Sequence, residues 1–314
     1  MRMVQIRKSI SIYQYITYLN FPLTNPIPNI TMAVWLITGC SSGFGLELAK
    51  VAASRGDKVL AASRNPANIQ LSHQNIKLVR LNHNAPLENI KTVVDDLVQV
   101  FGTIDIVVNN AGYVQTGTLE ESTPEETFNQ FQANVFGPLN LYRAVLPHLR
   151  AKKSGTLVTM GSMAAWYPMN SCNLYNMSKA ALRWAGIGLA EEVKQFGIKH
   201  TLVEPGFFRT SLLKPGANLS GTPAKTRIPE YDELNTTADE AFKNFHGGQL
   251  GDPVKGAKII YEVVTGTGVA AGKELPGFFP VGSDATEEIG KALDKTREDV
   301  EAWRDISKLT DFKE

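Results

Sequence analysis

Val34-Trp35-Leu36-Ile37-Thr38-Gly39-Cys40-Ser41-Ser42-Gly43-Phe44-Gly45 is an apolar run that breaks into a glycine-rich loop. The run has the length and the β-branched, aromatic content of a buried strand. The residues after Gly45, as far as about Arg55, read as a helix. Glycines at 39, 43 and 45 let the backbone turn sharply and come close to a pyrophosphate. The helix that follows offers free N–H groups and the positive end of its dipole. The spacing is Gly-x-x-x-Gly-x-Gly where Gly-x-Gly-x-x-Gly is commoner, but the physical logic is the same. Gly39, Ser41, Ser42, Gly43 and Gly45 are therefore candidate cofactor residues.

Outward from this cradle, short apolar runs alternate with amphipathic stretches, the pattern of parallel strands covered on both faces. Strands are expected at 33–38, 57–63, 76–81, 104–109, 155–161, 198–204 and 278–281. The expected fold is α/β: a single doubly wound Rossmann domain with a seven-stranded parallel sheet and helices on both faces. Leu87, Ile90, Val94, Leu97 and Phe101 repeat at helical spacing. So do Phe128, Phe131, Val135, Leu139 and Tyr142, with Pro138 expected to kink or split that helix. A further helix is expected over 172–196. Residues 206–250 are rich in turn residues and weakly periodic, which predicts a substrate lid. The tail from Ser283 to Leu309 predicts a capped helix with Ile289, Leu293, Val300, Trp303 and Ile306 facing inward.

Composition narrows the function classes. The chain has 314 residues, 43% of them hydrophobic, and a formal net charge of +1, which argues against a nucleic-acid partner. Cys40 and Cys172 cannot build a disulfide framework, and a reducing compartment is expected. His73, His83, His148, His200 and His246 show no metal-ligand spacing, so no metal is expected. Residues 1–31 carry Arg2, Arg7 and Lys8, and no acidic residue precedes Glu47. They are expected to form a disordered leader before a catalytic domain at 32–314. Gln14, Asn20 and the prolines at 22, 26 and 28 interrupt it too often for a transmembrane segment. The expected location is cytoplasmic, or mitochondrial should the leader be a transit peptide.

Chemistry is carried by Ser162, Tyr175 and Lys179, spaced 13 and then four residues apart. Hydride delivered to a carbonyl carbon leaves negative charge on the oxygen. Tyr175 can protonate that oxygen while Ser162 holds it. A tyrosine's ordinary pKa of about 10 is high for exchange near neutrality. Lys179 lies one helical turn on and can lower it. At the end of the second strand stand Ser63 and Arg64, where an acidic residue would bind the adenosine ribose hydroxyls. An arginine there accommodates a 2′-phosphate, so NADP(H) is expected over NAD.

With Asn109-Asn110-Ala111-Gly112 after the fourth strand and Pro205-Gly206 after the sixth, these motifs fall in a recognisable order. Over about residues 32–310 the chain resembles the compact, single-domain, NADP-dependent branch of the short-chain dehydrogenase/reductase family. The resemblance implies that Ser162 bonds the substrate oxygen, Tyr175 exchanges the proton and Lys179 activates it. Lys179 would also grip the nicotinamide ribose, and Asn134 would hold a proton-relay water. It further implies cofactor contacts from Phe44, Asn82, Asn109, Tyr175, Lys179, Pro205, Gly206, Phe208 and Thr210. Asn82 departs from the family's aspartate, which weakens the expected adenine contact. Cys172 is expected to be a small pocket-wall residue.

Met163 to Met169 and Phe207 to Leu213 would border the substrate space, and their side chains suit an apolar body. The expected function is NADP-dependent interconversion of a lipophilic ketone or aldehyde and its alcohol. The alternative is a non-catalytic NADP-sensing protein. The small residues Ala180, Ala181, Ala185, Gly186 and Gly188 resemble a subunit-contact face, implying a homodimer or homotetramer.

Overall fold

Strand and helix alternate from residue 34 because each apolar run is too short for a helix and is followed by a stretch with helical periodicity. The computed structural model describes residues 32–214, 218–245 and 247–312, so the expected leader lies outside the described residues. The strands are β1 (Val34–Thr38), β2 (Lys58–Ser63), β3 (Ile76–Arg80), β4 (Ile106–Asn109), β5 (Val114–Thr116), β6 (Gly155–Met160), β7 (Ile198–Pro205), β8 (Leu219–Gly221) and β9 (Phe278–Val281). The helices are α1 (Gly43–Ser54), α2 (Leu87–Phe101), α3 (Pro124–Phe131), α4 (Gly137–Lys152), α5 (Asn173–Val193), α6 (Asp232–Phe245), α7 (Pro253–Thr265) and α8 (Ser283–Ser307).

Seven strands form one parallel sheet in the order β3-β2-β1-β4-β6-β7-β9. They match the seven expected runs to within two residues at any end. The order reverses between β1 and β4, so the loops that leave these strands diverge and open a crevice at the carboxyl edge. Both faces of the sheet are covered. Trp35, Ile37, Val59 and Val108 pack against α1 and α7 through Leu48, Ala52, Ile260 and Tyr261. Leu36, Leu60, Val107 and Leu157 pack against α2 and α4 through Ile90, Val94, Leu141 and Leu149. Burial of successive residues on opposite faces explains why β1 reads as unbroken apolar sequence. Each fully buried leucine or isoleucine contributes about 1.5–3 kcal/mol.

Three features depart from the sequence expectation. The split helix breaks at a π turn, Gln132–Phe136, just before Pro138. Pro138 sits in the first turn of α4, where its missing N–H costs nothing, so the extra residue falls ahead of it. The short strands β5 and β8 pair in parallel as a separate sheet, which three-residue strands without periodicity could not announce.

The third is a correction to the tail. Ile289 is buried, but Leu293, Val300, Trp303 and Ile306 are exposed. A helix of 25 residues runs about 37 Å, whereas the four-residue edge strand β9 extends only about 13 Å. There is no sheet left to cover the second half of α8.

Candidate active site

The crevice is a cavity of about 780 Å³, lined by the loops after β1, β2, β4, β6 and β7 together with α5. At its floor the cradle is built by close approach. Gly39 has φ +73°, and a Cβ there would lie 2.9 Å from the Ala111 backbone. A Cβ on Gly45 would lie 2.6 Å from both the Asn110 side chain and the Gly39 carbonyl oxygen. Gly39, Ser41, Ser42, Gly43 and Phe44 line the cavity, while Gly45 sits behind them. The Asn110 Nδ2 donates to the Thr38 carbonyl at 2.8 Å, and Thr38 Oγ1 accepts from the Asn110 and Ala111 N–H groups. Asn110, Ala111 and Gly112 thereby brace β1 against β4 and form one wall. Asn109 turns away, and its Nδ2 donates to the Pro138 carbonyl at 3.1 Å.

Ser162 lies in the loop just after β6, and Tyr175 and Lys179 sit on the cavity face of α5; all three line the same space. Ser162 and Tyr175 are hydrogen-bonded through their side chains. Ser162 Oγ also accepts from the Ala164 N–H at 3.1 Å, which fixes the hydroxyl at the start of a helical turn. Lys179 Nζ donates to the Met160 carbonyl at 2.9 Å and lies 5.8 Å from the centre of the Tyr175 ring. Burial pushes the Tyr175 phenol up to about 12, against the lowering effect of its bond to Ser162. The expected depression by Lys179 is not found in this geometry: desolvation dominates, and the lysine's own hydrogen bond goes to the Met160 carbonyl. Burial also lowers the Lys179 ammonium to about 8, opposed by the charge of Glu204.

Glu204 is fully buried at the end of β7 and accepts from Trp166 Nε1 at 2.5 Å and Arg183 Nη1 at 3.3 Å. Trp166, expected to border the substrate, instead carries the Arg183 guanidinium 4.0 Å from its ring centre and leans on Phe278. It fastens the loop after Ser162 to α5 and β7. Cys172 is enclosed beside Tyr175 and Val114, and burial raises its thiol to about 12, which leaves it inert as a nucleophile.

The π turn directs Asn134 inward. Its Oδ1 accepts from the Tyr113 N–H at 3.1 Å, and its Nδ2 donates to the Tyr113 carbonyl and to Ser178 Oγ. Asn134 thus ties the backbone at Tyr113 to α5 and lies outside the cavity lining.

At the far end of the cavity stand Ser63 and Arg64. Ser63 Oγ is buried without a partner, and no acidic side chain pairs with Arg64 among the described residues. An unpaired hydroxyl beside an unpaired guanidinium suits an added phosphate. Asn65, Asn68, Leu81, His83 and Asn84 line the same end, and sequence reasoning missed them because no motif marks them. Asn82 is exposed, outside the lining, and its Oδ1 accepts from the Asn84 N–H at 3.2 Å. Burial lowers the His83 imidazole to about 4, so it is neutral at pH 7.

Pro205, Gly206, Phe208 and Thr210 close over the cradle, with Phe208 edge-on to Phe44 at 4.8 Å. Beyond them the cavity turns apolar: Met163, Met169, Phe207, Leu212, Leu213, Leu219 and Phe242 form its outer half. Asp284, at the start of α8, accepts from the Phe207 N–H at 2.7 Å and pins the root of this wall. Among the described residues no group of His, Cys, Asp and Glu could hold a metal ion, and no helix is long and apolar enough to cross a membrane.

Residues 33–218 match the family model for short chain dehydrogenase. An oxidoreductase of Botryotinia fuckeliana, BOA17, is 32% identical over 282 residues, covering 87% of this chain and 97% of its own length. A short-chain dehydrogenase from Streptomyces avermitilis superposes with a TM-score of 0.78 at 33% identity, covering 90% of this chain and 99% of its own. Two more distant structures share the fold at 21% identity. One is a short chain dehydrogenase/reductase from Burkholderia phymatum in complex with NAD, with a TM-score of 0.72 and coverage of 86% and 95%. The other is ElxO with NADP bound, with a TM-score of 0.65 and coverage of 82% and 99%.

Proposed function

The chain belongs to the short-chain dehydrogenase family of oxidoreductases, and on that ground we propose that it uses NADP(H) to interconvert a lipophilic ketone or aldehyde and its alcohol. The observation that carries this reading is a single cavity shared by the glycine cradle, Ser63 with Arg64, and Ser162 with Tyr175 and Lys179. The residues fit the dinucleotide: Gly39 to Phe44 receive its pyrophosphate, and the orphaned Ser63 hydroxyl and Arg64 receive the 2′-phosphate. When bound, NADPH supplies the hydride.

The protein's own part is proton transfer and positioning. Ser162 holds the carbonyl oxygen, and the Tyr175 O–H gives it a proton as negative charge develops. A phenol raised to about 12 keeps its proton at neutral pH, the state in which it can serve as the acid. Lys179 brings a positive charge beneath the phenol, and Asn134 orders the wall through which protons are replaced. The apolar outer half takes the body of the substrate, and residues 206–250 act as its lid within a catalytic domain of residues 32–314. A homodimer or homotetramer is part of this reading, supported by the exposure of Trp184 and Met177 on α5.

The test is NADPH oxidation against a panel of 2-decanone, decanal, a steroid ketone, pyruvate and glucose 6-phosphate. Higher kcat/KM for either of the last two than for every apolar carbonyl would refute the substrate class. Faster reaction with NADH would refute the coenzyme.

A further inference from the structure

Glu121 carries a buried carboxylate, 4% exposed, with no cation paired to it among the described residues. Burial without a counter-charge is costly, and such a group persists only where its lone pairs all meet donors. Here they do. Oε2 accepts from the Thr118 N–H at 3.3 Å and the Thr118 hydroxyl at 2.7 Å, both on its own loop. Oε1 accepts from the Ile228 N–H at 2.8 Å. Asn235 Nδ2 reaches both oxygens, at 2.8 and 2.9 Å. Burial works against the charge, but the bonds from Ile228, Asn235 and Thr118 outweigh it and hold the carboxyl down at about 2.

What this carboxylate joins is specific. Ile228 and Asn235 belong to the segment that folds over the outer, apolar half of the cavity. Asn235 Oδ1 in turn accepts from Ser171 Oγ at 3.0 Å, at the entry to the helix that carries Tyr175. The Ser171 carbonyl accepts from the Gly117 N–H at 2.8 Å. Next to these contacts β5 pairs with β8, and Thr222 donates to Thr116 through both its N–H and its hydroxyl. Further along the same segment, Phe242 and Leu219 pack in the apolar cluster that contains Tyr175. None of these bonds touches the cradle or Ser63 and Arg64.

We propose that Glu121 is the clasp of the lid: a positioning residue that fixes residues 218–242 over Tyr175 and so sets affinity for the apolar body of the substrate. The proposal rests on the reading that the outer half of the cavity takes the substrate. A carboxylate is required because every partner is a donor. A glutamine would turn an NH₂ group towards at least one of them.

The test uses the full chain saturated with NADPH, as wild type, Glu121→Gln and Asn235→Ala. Amide hydrogen exchange in 219–242 should quicken by roughly ten- to hundredfold, the range for losing bonds to a charged group, while β1 and β4 stay unchanged. The NADPH Kd, read from its fluorescence, should hold within about twofold. KM for 2-decanone should rise about tenfold or more while kcat changes less. Unchanged exchange in 219–242, equal quickening across the sheet, or an NADPH Kd that moves as far as KM would overturn the clasp. Should Glu121→Gln not fold, Asn235→Ala decides, because it removes only the lid's side of the contact. If wild type reduces no ketone, the proposed function falls, and the exchange pattern still decides the clasp.

Discussion

Lys179 and Tyr175 stand one turn apart on α5 with the ammonium 5.8 Å from the phenol ring centre, yet the lysine's hydrogen bond goes to the Met160 carbonyl. The pair is therefore a buried cation beneath a buried neutral acid. Tyr175→Phe keeps the ring and its packing and removes only the proton. Turnover should fall by roughly 10²–10⁴-fold with NADPH binding nearly intact. Steady-state kinetics and fluorescence titration check this, and activity within about threefold of wild type would take Tyr175 out of the mechanism.

A lysine lowered to about 8 from an ordinary value of about 10.4 makes a prediction about stability. Between these two values the unfolded chain binds more protons at this site than the folded one, so stability gains with rising pH. Below pH 8 the buried charge opposes folding in full. Lys179→Met should therefore raise Tm at pH 7, with an advantage that shrinks as pH rises through 8 towards 10. Calorimetry at pH 6, 7, 8 and 9 measures it; a constant difference would show that Lys179 is not the titrating group. The same variant should bind NADPH more weakly, given the role assigned to this lysine.

Ser63 and Arg64 offer the coenzyme test. Ser63→Asp with Arg64→Leu places a carboxylate where a 2′-phosphate would sit. NADPH affinity should fall and NADH affinity rise, inverting their order. The ratio of the two Kd values decides, and an unaltered ratio would mean the 2′-phosphate lies elsewhere.

Gly45 contributes by what it lacks. Gly45→Ala puts a methyl 2.6 Å from the Asn110 side chain and the Gly39 carbonyl oxygen, an overlap that only backbone movement relieves. Overpacking of this kind costs about 1–3 kcal/mol. The variant should lose both Tm and NADPH affinity even though Gly45 does not line the cavity, and NADPH binding at wild-type strength would refute the wedge.

Assembly is tested at Trp184, which is 69% exposed on α5. Light scattering should find a dimer or tetramer at micromolar concentration, and Trp184→Glu should shift it towards monomer. A wild-type monomer would end that reading.

The sheet was legible because its strands are buried on both faces and leave unbroken apolar runs. The cradle was legible because close backbone approach demands glycine. Ser162, Tyr175 and Lys179 could be read from spacing, since one helical turn fixes the last two on one face. What escaped was set by tertiary contact. Trp166 looked like a substrate residue until Glu204 and Arg183 drew it away. Leu293 and Trp303 carry a helical period, but periodicity cannot say where the sheet runs out. Asn82 was assigned by analogy, while the neighbouring His83 and Asn84 line the cavity without any motif. Glu121 gave no signal because its partners Ile228 and Asn235 come more than a hundred residues later.

The bond from the Phe207 N–H to Asp284 has a consequence for the order of events at the ribosome. The cradle, its brace at Asn110 and the helix bearing Lys179 are all made before residue 200 emerges. The root of the apolar wall waits for Asp284, which is made long after that helix. A nascent chain would thus own a place for its coenzyme before it owned a place for its substrate, and early capture of the coenzyme would steady a half-made sheet while the final edge strand arrives.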